Sequence, residues 1–138
     1  MDLFAQACGA IAGPQPERLS TGDYLFIYNI DTEAAGKGND TKPLGRCTIG
    51  WAVLNGTDPR QVVARSSTAI VTPTEPWETD ACDGKDPNAS SKGTCQTPDV
   101  IFATGLKPLG GDSFLVIYGG GDSVMAAIKI QVDVHKGS

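Results

Sequence analysis

Few side chains in this 138-residue sequence could do chemistry, and most of them are carboxylates. Asp122 follows three consecutive glycines in the stretch Tyr118-Gly119-Gly120-Gly121-Asp122, and Glu78 follows an indole in Glu75-Pro76-Trp77-Glu78. Glu75, Asp80 and Asp99 complete the set of candidates. A carboxylate accepts two hydroxyl hydrogen bonds at once, and charge-assisted bonds are the strong kind. Glycines let a chain turn tightly and let a ligand approach the backbone. An aromatic ring offers an apolar face on which a sugar's C–H groups can stack. Each residue also has a plain structural alternative: Asp122 as the cap of a hairpin turn, Trp77 as the anchor of a proline-rich loop.

Other chemistries lack their parts. The one histidine, His135, lies near the end of the chain, so neither a Ser-His-Asp nor a Cys-His arrangement is supported. The four cysteines, Cys8, Cys47, Cys82 and Cys95, form no CxxC pair, and a structural zinc site is not expected. The acids of Asp80–Asn88 depart from EF-hand spacing, so no metal is assigned. Neither GxGxxG nor GxxxxGK[ST] occurs, and no cofactor is expected. A net charge of −5 disfavours nucleic acid and anionic membrane surfaces as partners. No apolar run is long enough to cross a bilayer, and the first residues lack the basic region of a signal peptide.

The elements that must hold these residues read as strands: Asp23–Ile30, Cys47–Leu54, Gln61–Ser66, Asp99–Gly105, Ser113–Gly119 and Ser123–Val134. The first is almost continuously apolar, as a strand buried on both faces would be. Trp51, in a small-residue strand, is expected in the core, and Arg65 in a structural ion pair or at a strand edge. The class is all-β, within one domain of 1–138. Two long connections interrupt the strands, Asp31–Gly45 and Thr72–Thr97; connections of this length are functional or pinned by cross-links. There is an internal echo: "GDYLFIYN" at Gly22–Asn29 and "GDSFLVIYGG" at Gly111–Gly120, each followed by a strand rich in small residues. Repeats of this size suggest propeller blades, although two buried strands opened by a Gly-Asp turn would look alike anyway.

Three collinear stretches, from about Ala12 to Val134, resemble glycoside hydrolase family 130, which contains mannoside phosphorylases and β-mannosidases. "GWAVLNGTDPRQVVARSSTAIVTPTEPWE" resembles that family's small-residue strand, D-P turn, V-x-A-R-S strand and proline-rich passage ending in Glu-Pro-aromatic-Glu. "DVIFATG" and "GDSFLVIYGGGDSVMAAI" resemble its next blade, with the Tyr-Gly-Gly-x-Asp turn. "AGPQPERLSTGDYLFIYN" resembles its Gly-Pro-Pro-Pro segment and the strand after it. The resemblance implies about two four-stranded antiparallel blades of a five-bladed propeller, approximately 10–72 and 99–134, joined by a loop at 73–98, and a C-terminal part of such a protein. It implies an oligosaccharide or other glycan as partner, with Asp122 holding mannose hydroxyls and Glu78, Trp77, Asn29 and Tyr28 as further contacts.

The departures bear on chemistry. Where the family's strand ends in Tyr-His, with the histidine on phosphate, this chain has Tyr28-Asn29, and no lysine stands near Cys8–Ala12 where the family has a phosphate-binding one. Phosphorolysis needs cations to hold phosphate, so hydrolysis is the more natural chemistry. The family's general acid comes from an earlier blade, so no catalytic residue is assigned here. Two blades leave exposed flanks, which implies missing N-terminal blades or a homo-oligomer. Bridges Cys82–Cys95 and Cys8–Cys47 are expected on loop grounds, and with sequons at Asn39, Asn55 and Asn88 they point to the secretory pathway. The alternatives are a non-catalytic secreted carbohydrate-binding or interaction module and a disulfide-stapled β-sandwich.

Overall fold

Runs of β-branched and aromatic residues, broken by turns at Gly-Asp and Asn-Gly, fold here into antiparallel strands. The structure, a computed structural model, describes residues 10–31, 47–79, 100–121 and 124–133. In chain order these form β1 (Ala10–Ala12), β2 (Glu17–Arg18), β3 (Tyr24–Asp31), β4 (Cys47–Leu54), β5 (Val62–Arg65), one helical turn α1 (Pro76–Thr79), β6 (Ile101–Gly110), β7 (Ser113–Gly120) and β8 (Val124–Gln131). The first sheet runs β1-β3-β4-β5, with β2 also on β3, and the second runs β6-β7-β8. The all-β class of stacked antiparallel blades holds; among the described residues the second blade has three strands rather than four.

The two sheets pack face to face. Alternation along β3 sends Leu25 and Ile27 to one face, where with Ile49 of β4 they meet Ile101, Ala103, Phe114, Val116 and Tyr118 of the second sheet. Each fully buried side chain of this kind contributes about 1.5–3 kcal/mol. Tyr28, Ile30 and Ala52 form a second buried cluster on the opposite face of the first sheet, flanked by Phe26 and Leu54. A sheet apolar on both faces is what a blade between neighbours requires, and a sheet with one face in water does not.

Two polar ties cross between the sheets. Asn29, fully buried, accepts the Ala103 N–H at 2.7 Å through Oδ1 and donates to the Ala103 carbonyl at 3.4 Å through Nδ2. The carboxamide thereby pairs with β6 as a neighbouring strand's backbone would. At the hairpin between β6 and β7, Gly110, Gly111 and Asp112 all have positive φ, the last at 58°. Aspartate is among the few non-glycine residues that tolerate this region. The Asp112 carboxylate accepts the Ser20 backbone N–H at 2.8 Å and the Ser20 hydroxyl. Ser20 belongs to the turn before β3, so the turns that open the two echoed strands are hydrogen-bonded to each other.

Strand β6 runs past its expected end at Gly105 through Lys107 and Pro108 to Gly110. It tolerates a proline because it lies at the sheet's edge, and register shifts at Ala103/Gly105 and Pro108/Gly110 absorb the irregularity.

Candidate functional site

The triple glycine, the end of β7 and α1 converge. Trp77 stacks on Tyr118, ring centroids 6.4 Å apart at 23°. A Cβ on Gly120 would lie 2.5 Å from Trp77 Cζ3 and 3.2 Å from Glu78 Cγ, so the indole occupies the space a side chain would need. Gly121 has φ of 56° and donates its N–H to the Val100 carbonyl at 2.8 Å. A Cβ on Gly119 would meet only ordinary contacts. Thus Gly120 admits the indole, Gly121 makes the turn, and neither constraint applies to Gly119.

Glu78 is 1% exposed. Its Oε2 accepts the N–H groups of Thr74 and Glu75, at 2.8 and 3.0 Å, closing the turn that carries Trp77. Its Oε1 is equally buried and has no hydrogen-bond partner. Burial, reinforced by the negative charge of Glu78, pushes the Tyr118 phenol up to about 12. The hydroxyl of Tyr118 therefore stays protonated at any physiological pH and is oriented towards the Glu78 carboxylate.

Tyr28 and Asn29, expected as ligand contacts, lie on opposite faces of β3. Consecutive strand residues point to opposite faces, so they cannot line one site. Tyr28 is buried with Ile30 and Ala52, and Asn29 is spent on Ala103. Glu78 and Trp77 do come together beside the glycine turn, with Glu78 holding the loop rather than facing solvent. Glu75 is exposed on the same loop. Asp122, Asp80 and Asp99 lie outside the described residues. So do Cys8, Cys82 and Cys95, and with them one or both ends of each expected bridge; Cys47 is half-buried at the start of β4. Trp51 is half-buried at the edge of the core rather than within it, and lines a cleft of about 430 Å³ with Leu25, Ile70, Ile130, Gln131, Val132 and Asp133. Arg65 sits exposed on the edge strand β5. The residue that sequence reasoning passed over is Tyr118. The signal was available: alternate burial of Phe114, Val116 and Tyr118 along β7 carries a hydroxyl to the last inward position before the glycines.

No protein-family model matches the chain, and no curated protein matches it. Solved structures do. A β-1,2-mannobiose phosphorylase from Listeria innocua, in complex with β-1,2-mannobiose, is similar at 25% identity and TM-score 0.63, over 88% of this chain and 27% of its own. A glycoside hydrolase family 130 structure, from work on glycoside hydrolases that target β-1,2 mannosidic linkages in Candida mannan, is similar at 19% identity and TM-score 0.61. A glycosyl hydrolase from Bacteroides ovatus is similar at 17% and 0.60. The last two each match 88% of this chain and 30% and 29% of their own, and at such identities speak for the fold alone. The resemblance read in the sequence is thus matched in three dimensions, and the chain spans less than a third of the length of these neighbours.

Proposed function

From a fold shared with part of these mannoside-active enzymes, we propose that the protein binds a mannoside through the turn at the end of β7. Trp77 supplies an apolar ring, and Asp122, next in sequence after the glycines, a carboxylate for sugar hydroxyls. The observation that carries this reading is the likeness over 88% of the chain to a phosphorylase crystallised with mannobiose. Phosphorolysis is not proposed, because Asn29 replaces the phosphate-contacting histidine and is committed to Ala103. Between binding with and without turnover, the burial of Glu78 favours binding without it, since its carboxylate holds a loop.

The test is calorimetric titration with β-1,2-mannobiose and longer β-mannooligosaccharides, followed by product analysis with and without phosphate. Saturable binding with no change in the oligosaccharide is the expected result. Absence of binding to every mannoside would remove the carbohydrate reading, and formation of mannose 1-phosphate would reverse the judgement on phosphorolysis.

A further inference from the structure

We propose that Asn55 is a latent deamidation site, and that the Asp23 carboxylate holds back its conversion to aspartate and isoaspartate in the folded chain. Asn55-Gly56 is the one Asn-Gly pair in the sequence. In such a pair the glycine nitrogen can reach the asparagine carboxamide carbon, because no Cβ stands in the way. The step needs only the chain and water. Gly56 N gives up its proton and bonds to Asn55 Cγ; the Cγ–Nδ2 bond breaks, and Nδ2 leaves with a proton as ammonia. Water then opens the succinimide at either carbonyl, giving aspartate or isoaspartate.

The fold uses both residues of this pair. A Cβ on Gly56 would overlap the Gly22 carbonyl oxygen, so only glycine fits against the turn that opens β3. The Asn55 Oδ1 accepts the Thr57 N–H at 2.8 Å, the Thr57 hydroxyl at 2.7 Å and the Asp58 N–H at 3.0 Å, which shapes the reversal between β4 and β5. The Asn55 N–H donates to the Gln61 carbonyl at 2.9 Å across that reversal. Ring closure draws Cγ towards Gly56 N, a movement these bonds resist. The same three donors polarise the carboxamide carbonyl, which assists attack. The two effects oppose each other, so the attacking nitrogen decides the rate.

That nitrogen is guarded. The Gly56 N–H donates to Asp23 Oδ1 at 3.0 Å, and Asp23 is half-buried in the turn before β3. The attacking form of Gly56 N lacks this proton. Forming it breaks a hydrogen bond to a charged acceptor and sets two negative charges side by side, and both effects disfavour it. Asp23 does not serve as the base that removes the proton, because a carboxylate is far less basic than a peptide nitrogen anion. Conversion therefore waits for the Gly22–Asp23 turn to part from Gly56, a local opening. Aspartate at this position would keep the acceptor that Thr57 and Asp58 use. Isoaspartate would lengthen the main chain by a methylene inside the reversal.

The intact chain, made without glycosylation because Asn55 heads a sequon, would be aged in mildly alkaline buffer beside the same chain in urea. Mass mapping of the tryptic peptide Cys47–Arg60 and enzymatic methylation of isoaspartate read the conversion. The folded chain should convert more slowly than the unfolded one by about tenfold or more, and Asp23→Ala should recover about tenfold, the worth of a hydrogen bond to a charged group. Asp23→Asn keeps an acceptor without the charge and should fall between Asp23→Ala and the parent; an unchanged urea midpoint there separates loss of charge from loss of stability. Ser20→Ala removes the hydroxyl tie to Asp112 in the same turn without touching Gly56, and should convert at the parent's rate. Equal rates in the folded and unfolded chain, or either Asp23 variant converting no faster than the parent, would overturn the proposal. So would a gain in Ser20→Ala equal to that in Asp23→Ala.

Discussion

Replacing Asn29 with alanine should be among the most damaging single changes to this protein. The side chain satisfies both backbone groups of Ala103, a residue 1% exposed and 74 positions away in sequence. A buried amide left without its partner costs about 1–3 kcal/mol. The N–H bond at 2.7 Å is short and takes the upper part of that range; the carbonyl bond at 3.4 Å is weak and takes the lower. Together they give about 3–4 kcal/mol, which is a large share of the roughly 5–15 kcal/mol by which a domain is stable. Urea unfolding followed by tryptophan emission and far-ultraviolet circular dichroism measures it, with an unchanged m-value showing that stability alone has moved. Exchange of the Ala103 amide should accelerate to the rate of local opening. A loss below about 1 kcal/mol, the net value of one ordinary hydrogen bond, would refute the view that Asn29 stands in for a strand. Weaker mannoside binding at unchanged stability would restore it as a ligand contact.

Other outcomes follow from the same geometry. Gly120→Ala should cost about 1–3 kcal/mol, the usual penalty of overpacking, and should displace Trp77, read as a shift of its emission in Trp51→Phe. The Tyr118 phenol is raised from 10.0 to about 12, so the folded state holds its proton longer than the unfolded chain. This stabilisation is complete below pH 10 and is lost as pH rises through 12; Tyr118→Phe should flatten alkaline unfolding over that window. Asp122→Ala should weaken mannoside binding by about 1.5–3 kcal/mol, the value of hydrogen bonds to a charged group, and unaltered affinity by calorimetry would return Asp122 to turn capping. Asp112→Ala should destabilise more than Asp112→Gly by about 1–2 kcal/mol, because both lose the Ser20 tie but only alanine keeps the strained φ; equal urea midpoints would remove the role of strain.

What could be read from the sequence was mainly the strands whose local pattern and tertiary fate agree. β4 spans Cys47–Leu54 as expected, and β7 and β8 fall within a few residues of expectation, since apolar runs bounded by glycines leave one solution. β6 was expected to stop at Gly105; pairing with β7 at an exposed edge carries it on through Lys107 and Pro108 to Gly110. β1, β2 and α1 are too short to carry periodicity, and exist because β3 and the Glu78 carboxylate hold them. The same limit governs the site. The glycine triplet could be recognised as a place where side chains are excluded, but not that an indole 43 positions earlier excludes them at Gly120. That Tyr28 meets Ile30 and Ala52 while Asn29 meets Ala103 could not be read either, because a strand buried on both faces gives no sign of which neighbour each face meets.

The tie between Ser20 and Asp112 spans 92 positions, and this separation orders the assembly of the molecule. β6, β7 and β8 are joined by consecutive short connections, so their contacts close quickly; a contact across most of the chain carries a far larger entropic delay. The carboxylate that receives Ser20 is held in place by the β6–β7 reversal itself, whose Asp112 carbonyl also accepts the Val132 N–H. The latch can engage only after the hairpin exists. Docking of the two sheets is therefore a late, cooperative step, and a chain arrested before it would expose Phe114 and Val116 to whatever aliphatic surface it met first.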